Sequence, residues 1–456
     1  MTNYRVLLEV RTHNNALPKV RAGQWNMGFS SLSALVPGRT FQFSLCCYLV
    51  LYFFNLAFVR GRTSYEFSAL RQCKTLPARR SNTKRILNMN KYLKSRLQLI
   101  IITMCLHLSV LGQELNYESK NKQLDNLVSE RMTKFNIPGA SVVILKDNKT
   151  VYSKGYGFAN LELKFTAKVE TNYLIGSITK TFTATAVMML WEEGKLRLED
   201  SIGSYIPTLP EHWKPITIRQ LLNHTSGIVT NLESATSKCK FEFDCDNYTQ
   251  ENLIQETACL PLNFEPGTKF EYSGRNYYVL GILIEKLSGK TFGEFLNERI
   301  FIPLRMTQTA MINYKNILPN RAGGYILENE ILSNSGKMDA VVELSDGGLM
   351  STTLDLVKWI SSFDTEILLK RKSIEMMWTN ARLKNGSIVT QYGMGFGLTP
   401  YKGHKRFGHT GGIPGFSSCL THFSDQNLTV IVLTNLTNSK LNIGLMGNEM
   451  AEIYLK

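Results

Sequence analysis

Ser177-Ile178-Thr179-Lys180 opens the strongest candidate for a buried helix in the chain, Thr181-Phe182-Thr183-Ala184-Thr185-Ala186-Val187-Met188-Met189-Leu190-Trp191, which Gly194 stops. A run with so little polar surface predicts a helix through the interior. Ser177 and Lys180 are three apart and fall on one face of its first turn. A serine hydroxyl is a weak nucleophile at neutral pH and needs a base within hydrogen-bond reach, a role lysine fills when burial disfavours its charged form. The helix start also directs free backbone N–H groups towards developing negative charge. Taken alone, the plainer reading of Ser177 is a helix cap, and Ser81 to Lys84 repeats the same spacing.

Two later motifs extend this chemistry. Tyr272-Ser273-Gly274 follows Pro266-Gly267-Thr268-Lys269-Phe270-Glu271, which predicts a turn and a short extended segment before a helix from about Tyr277. A loop tyrosine there could bring its phenolic oxygen to a nucleophile or leaving group, although a lone tyrosine is more often packing. His409-Thr410-Gly411-Gly412 lies between Arg406-Phe407-Gly408 and Ile413-Pro414-Gly415. Glycine lets a substrate approach the backbone, and the Gly412 N–H could donate to an oxyanion; the plainer reading is a glycine-rich turn.

Around these motifs the apolar spacing predicts a helix with Leu124, Leu127, Val128, Met132 and Phe135 on one face, then strands Gly139 to Lys146 and Thr150 to Gly157 about the turn Asp147-Asn148. A second hairpin, Phe416 to Phe423 with Leu428 to Leu433, precedes a closing helix marked by Ile443, Met446, Met450 and Ile453. The middle is mainly helical, strongest at Ile218 to Asn223 and Tyr277 to Leu287. The economical arrangement is a terminal α/β layer enclosing a helical insertion.

Together these residues resemble the serine β-lactamase and penicillin-binding-protein superfamily, on the branch of class C β-lactamases, D-aminopeptidases and serine esterases. The resemblance covers nearly all of residues 118 to 456 and includes Leu221-Leu222-Asn223-His224-Thr225-Ser226-Gly227 and Gly347-Gly348-Leu349-Met350-Ser351-Thr352. It implies an α+β fold, an antiparallel sheet flanked by helices, with an all-helical subdomain beside it and the site in the cleft. Carried across by position, Ser177 is the acylated nucleophile, and Lys180 and Tyr272 share general-base and general-acid work. Ser177 and Gly412 supply the oxyanion N–H groups, and His409 stands where many relatives have the lysine of a KTG strand. Thr410, Gly411 and Asn276 are candidate substrate contacts. The resemblance implies no metal and no organic cofactor.

Two departures bear on substrate. The usual tyrosine motif ends in asparagine, but Gly274 stands there, removing an amide that could bond both Lys180 and the substrate; Asn276 is near but not equivalent, and a water could substitute. His409 replaces a permanent charge with a group of reference pKa about 6.5, largely neutral at pH 7. A substrate carboxylate would lose roughly 1–4 kcal/mol of attraction. Since β-lactams and D,D-peptides carry that carboxylate, the expectation is a serine hydrolase acting through a Ser177 acyl-enzyme on a small-molecule ester, amide or peptide. A true β-lactamase or D,D-peptidase, and a catalytically silent binding or scaffold protein, are the alternatives. His224 is expected to shape a helix end and Asp346 to belong to a turn.

The chain is basic, with 52 Lys+Arg against 37 Asp+Glu, but residues 1 to 112 hold 16 of the former and 2 of the latter, leaving 36 against 35. The downstream region therefore gives no reason to expect nucleic-acid or anionic-membrane binding. Residues 89–112 read as a secretory signal: Lys91, Lys94 and Arg96, then an apolar run from Leu97 to Leu111, and Val110-Leu111-Gly112 before Gln113. A retained signal anchor is the alternative. Residues 1–88 hold an apolar run, Phe41 to Val59, but no domain pattern, and are expected to be an upstream extension absent from the mature protein. The domain is expected over 113–456, secreted or extracytoplasmic, with membrane association only if an apolar N-terminal segment is retained. Secretion suits one local disulfide among Cys239, Cys245 and Cys259, with Cys419 distant, and leaves a second disulfide open; Cys259 and Cys419 as buried thiols is the alternative. It also suits six sequons, at Asn148, Asn223, Asn247, Asn385, Asn427 and Asn435.

Overall fold

The computed structural model describes residues 8–9, 32–36, 39–43, 81–229, 254, 258–336 and 344–455. The chain forms two compact units, Met1–Ile102 and Thr103–Lys456. In the first, strands Leu8–Glu9, Leu32–Val36 and Arg39–Phe43 pair in that order as an antiparallel sheet. Beyond Phe43, the apolar run to Val59 lies outside the described residues. Helix α1, Ser81–Phe135, contains both the expected signal segment and the expected first helix of the domain. Leu93, Leu97, Leu99, Ile102 and Met104 are exposed along it, whereas Leu124 and Val128 are fully buried. Among the described residues, no helix is long and apolar enough to cross a membrane.

The second unit is built on a six-stranded antiparallel sheet of β1 (Gly139–Lys146), β2 (Lys149–Asn160), β3 (Phe165–Thr166), β4 (Arg406–Ile413), β5 (Phe416–Phe423) and β6 (Leu428–Thr434), in the order β4-β5-β6-β1-β2-β3. Both predicted hairpins are present. The β1–β2 turn places Asp147 and Asn148 at φ 52° and 59°, the left-handed pair that a two-residue hairpin turn requires. The central strands are apolar on both faces because both faces are covered. Val142 and Ile144 pack in one core with Leu124, Val128, Met446 and Met450, and Val143 and Leu145 in the other with Ile178, Phe182 and Val187. The first core lies beneath α1 and the closing helix α4 (Ile443–Glu452), and the second surrounds α2 (Thr179–Glu192).

Helix α2 is buried from Thr179 to Leu190, as its composition predicts. Its threonines bond internally: Thr185 Oγ1 donates to Thr181 O (2.9 Å), Thr183 to Ser345 O (2.5 Å), and Thr181 Oγ1 accepts from Trp359 Nε1 (3.1 Å). Those bonds remove the cost of burying hydroxyls and fix the helix against its neighbours. Helix α3, Gly274–Ser288, begins three residues before the predicted Tyr277 and ends at left-handed Gly289, φ 69°. Cys259 is disulfide-bonded and Cys419 is a buried free thiol; Cys239 and Cys245 lie outside the described residues. Two sequons are corrected by burial, Asn223 at 5% and Asn435 at 0% exposure, since a glycan needs a solvent-facing amide. Asn148 and Asn385 are exposed, Asn427 is half-buried, and Asn247 lies outside the described residues.

Candidate active site

The turn Gly176–Ile178 leads into α2 and sets Ser177, half-buried, at the sheet edge with Lys180 beneath it. Lys180 is 1% exposed, and its Nζ donates to Ser177 Oγ at 3.1 Å and to the Asp346 carbonyl at 2.7 Å. The Asp346 carboxylate stands 3.7 Å from the same Nζ. The Tyr272 ring centre lies 5.3 Å and the Tyr277 ring centre 5.7 Å from it. Three residues singled out in the sequence, Ser177, Lys180 and Tyr272, are thus together around one ammonium.

Strand β4 closes one side. Gly411 must be glycine because a Cβ there would meet Ile175 O at 2.0 Å and Ser418 Oγ at 2.3 Å. Ser418 Oγ also donates to Ile175 O, at 2.7 Å, tying β5 to the segment before Ser177. Gly176, at φ 50°, needs glycine for its conformation and for space, since its Cβ would lie 3.0 Å from Gly412 N. Gly412 N is therefore next to the turn that carries Ser177, and a Cβ on Gly412 itself would meet open space.

His409 is half-buried at this edge, its ring 6.0 Å from that of Tyr272. Its Nδ1 lies 2.6 Å from Thr410 O, which only accepts, so Nδ1 carries the hydrogen. Nε2 then accepts from Tyr392 O–H at 3.1 Å. Burial first, and the Lys180 cation second, push the imidazole pKa down to about 3, against a smaller opposing effect of the Thr410 carbonyl. The ring is neutral at pH 7.

Behind Tyr272 lies His224, fully buried at φ 57°, with its ring 4.3 Å from Tyr272, 5.1 Å from Tyr277 and 4.7 Å from Tyr392. Its Nδ1 accepts from Ser273 N (3.2 Å) and faces Asn276 Nδ2 (3.1 Å). Burial, then Lys180, then His409 lower its pKa well below the usual range. More than a helix end, His224 is the platform on which Tyr272 rests.

Two expected substrate contacts are corrected. Asn276 is fully buried, its amide facing His224 and its oxygen accepting from Ser226 Oγ at 2.5 Å, because α3 already starts at Gly274 and turns this position inward. Thr410 pairs with Cys419 of the α4-side core, and its methyl lies 3.1 Å from where a Cβ on Gly444 of α4 would stand. Alternation along β4 puts it on the face opposite the residues that meet Ile175. Gly411 contributes close packing, as above. Asp346, expected only to belong to a turn, contacts Lys180, and Tyr392, which sequence reasoning passed over, contacts His409. Among the described residues, no cluster of His, Cys, Asp and Glu is placed to hold a metal ion.

Residues 124–444 match the family model for beta-lactamase. The chain belongs to the beta-lactamase family. Within that family, Protein flp of Staphylococcus aureus (strain MRSA252) is 30% identical over 323 residues, which cover 70% of this chain and 63% of flp. The chain thus spans less than two thirds of that relative's length. Penicillin-binding protein 4* of Bacillus subtilis (strain 168) is 29% identical over 70% of this chain and 72% of its own. Among solved structures, the octameric penicillin-binding protein homologue from Pyrococcus abyssi superposes with a TM-score of 0.59 at 30% identity, over 69% of this chain and 73% of that one. The D-amino acid amidase from Ochrobactrum anthropi SV3 has a TM-score of 0.61 over 74% and 97% of the two chains; at 22% identity it is a likeness of fold. The α+β fold expected from the sequence, antiparallel sheet flanked by helices, is the fold of these relatives.

Proposed function

We propose that this beta-lactamase-family protein is a serine hydrolase that acts through a Ser177 acyl-enzyme on an ester or small amide. The observation that carries the reading is the 3.1 Å bond between Lys180 Nζ and Ser177 Oγ at the base of an open edge. Tyr272 and Lys180 move the proton between nucleophile and leaving group, and the Ser177 and Gly412 N–H groups receive the oxyanion. Departure of the alcohol or amine leaves an acyl-Ser177 that water or another acceptor attacks.

Neutral His409 supports the substrate class. A carboxylate-bearing β-lactam or D,D-peptide would find there an imidazole, not a cation, so esters and uncharged amides are preferred over the substrates suggested by the relatives' name, penicillin-binding protein. The exposed apolar stretch of α1 supports the further proposal that 89–112 is a signal or anchor segment and 113–456 an extracytoplasmic catalytic domain.

A fluorophosphonate probe, with p-nitrophenyl esters, D-amino-acid amides and a chromogenic cephalosporin as substrates, tests this. The expected result is Ser177 labelling and ester or amide turnover, both lost in Ser177→Ala. Folded protein that leaves Ser177 unlabelled, or that prefers the cephalosporin, overturns the reading or its substrate class respectively.

A further inference from the structure

Gly274 is a position in the tyrosine motif whose residue type the chemistry above leaves unexplained. Its backbone does not require glycine, because its φ is not positive. Space is tight instead: a Cβ on Gly274 would lie 2.5 Å from Asp346 Oδ2 and 3.6 Å from Asp346 Cγ, with no other neighbour as close, so a side chain there would displace the carboxylate. The room in front of residue 274 is filled by a carboxylate brought 72 residues along the chain, on the short helical turn Leu344–Gly347.

That carboxylate has a specific neighbour. Asp346 Oδ2 is 3.7 Å from Lys180 Nζ, and the Asp346 carbonyl accepts from the same nitrogen at 2.7 Å, so one residue meets the lysine through both backbone and side chain. The turn is itself held, since Ser345 Oγ donates to Tyr277 O (3.0 Å) and Ser345 O accepts from Thr183 (2.5 Å). Asp346 is therefore anchored to α2 and α3, the helices that carry Lys180 and follow Tyr272. Its Oδ1 is buried and, among the described residues, without a hydrogen-bond partner, which is costly unless the charge answers another. The other titratable groups facing Lys180 are Tyr272, Tyr277, His224 and His409, and burial holds the two histidines neutral. Among the described residues, Asp346 is the carboxylate that stands within ion-pair distance of Lys180.

We propose that Asp346 is the positioning residue of Lys180: its carboxylate occupies the space a side chain at 274 would fill and holds the lysine amine against Ser177, so that glycine at 274 leaves it in place. This rests on the acyl-enzyme reading for its catalytic consequence, but not for its electrostatic one. It also predicts that residues 274 and 346 are interchangeable as sources of the polar partner, though not additive.

Two arms test it. In the first, fluorophosphonate labelling of Ser177 is timed in Asp346→Ala, Gly274→Asn and the double variant. Each single change is expected to slow labelling about 10- to 100-fold, the first by removing the carboxylate beside the lysine and the second by forcing it aside. The double variant, with an amide reaching from 274 into the vacated space, is expected to recover to within about ten-fold of the wild type. A double variant no faster than the slower single one overturns the exchange, because a merely structural role gives no rescue. The second arm needs no catalysis: Asp346→Ala is expected to lower the melting temperature by about 3 °C in the native background and much less beside Lys180→Met, where the carboxylate has no lysine charge to answer. Equal losses in both backgrounds overturn the pairing. If wild-type Ser177 fails to label while the melting cycle shows coupling, the hydrolase reading falls and the pairing stands.

Discussion

Acidification should destabilise the protein through His409, with a sign and size that follow from its surroundings. The folded imidazole pKa is lowered to about 3 by burial and by Lys180, whereas an unfolded histidine titrates near 6.5. Between these values the unfolded chain binds the proton first, so stability is complete above about pH 6.5 and falls as the pH drops towards 3. At pH 4.5 the gap of about two units corresponds to about 2.7 kcal/mol at 1.36 kcal/mol per unit. Solvent at the free edge of this half-buried ring reduces that to about 1–2 kcal/mol. The assay is urea unfolding followed by tryptophan fluorescence at pH 7.5 and 4.5, for the wild type and His409→Gln. The wild type is expected to lose about 1–2 kcal/mol more than the variant across this interval, since carboxylate titrations and buried His224 are common to both. Equal losses would refute the claim that the ring is held neutral, and with it the electrostatic argument for substrate.

Three other outcomes follow from single contacts. Gly411→Ala places a methyl group 2.0 Å from the Ile175 carbonyl, and is expected to cost about 1–3 kcal/mol in thermal unfolding and to slow Ser177 labelling; an unchanged melting curve contradicts the close approach. Tyr392→Phe removes the donor to His409 Nε2 and should cost about 1 kcal/mol, read as a shifted urea midpoint, with ester hydrolysis reduced less than about ten-fold. Expression in a glycosylating host followed by peptide mass mapping should find glycans only at Asn148, Asn385 or Asn427 among the described sequons, and a glycan on buried Asn223 or Asn435 would show that the packing there is wrong.

The parts of the fold legible in the sequence are those whose cause is local. Phe416–Phe423 matches the predicted strand because the polar turn Ser424-Asp425-Gln426-Asn427 ends it, and α2 the predicted helix because its composition leaves little polar surface. Ser177 and Lys180 were legible because three residues make almost one helical turn. Asn276 misled because nearness in sequence is not nearness to a cleft: two residues into a helix the side chain has rotated towards the core. Thr410 misled because motif position says nothing about which face of β4 a residue occupies. Asp346, expected only to belong to a turn, and Tyr392 escaped for another reason. Each reaches its partner through a tertiary contact, Asp346 to Lys180 across 166 residues, and neither carries a pattern of its own. The one available signal was Gly274, whose missing side chain marked space that something else had to fill.

Asp346 also changes what the substrate argument rests on. Neutral His409 alone would only withdraw an attraction, and a single substitution to lysine could restore it. With Asp346 beside Lys180, the ammonium is already paired and a carboxylate stands where a neutral amide was expected, so an anionic substrate is disfavoured twice. His409→Lys by itself should therefore raise cephalosporin turnover only slightly, because the new cation lies near Lys180 and the existing anion remains. Combining it with Gly274→Asn and Asp346→Ala exchanges anion for amide while adding the cation, and is expected to raise kcat/KM for a chromogenic cephalosporin about ten-fold or more over His409→Lys alone. Ester turnover by the same variants controls for damage to Ser177 and Lys180. If His409→Lys alone matches the triple variant, with ester turnover intact in both, the Asp346 carboxylate plays no part in selecting the substrate, and His409 carries that selection unaided.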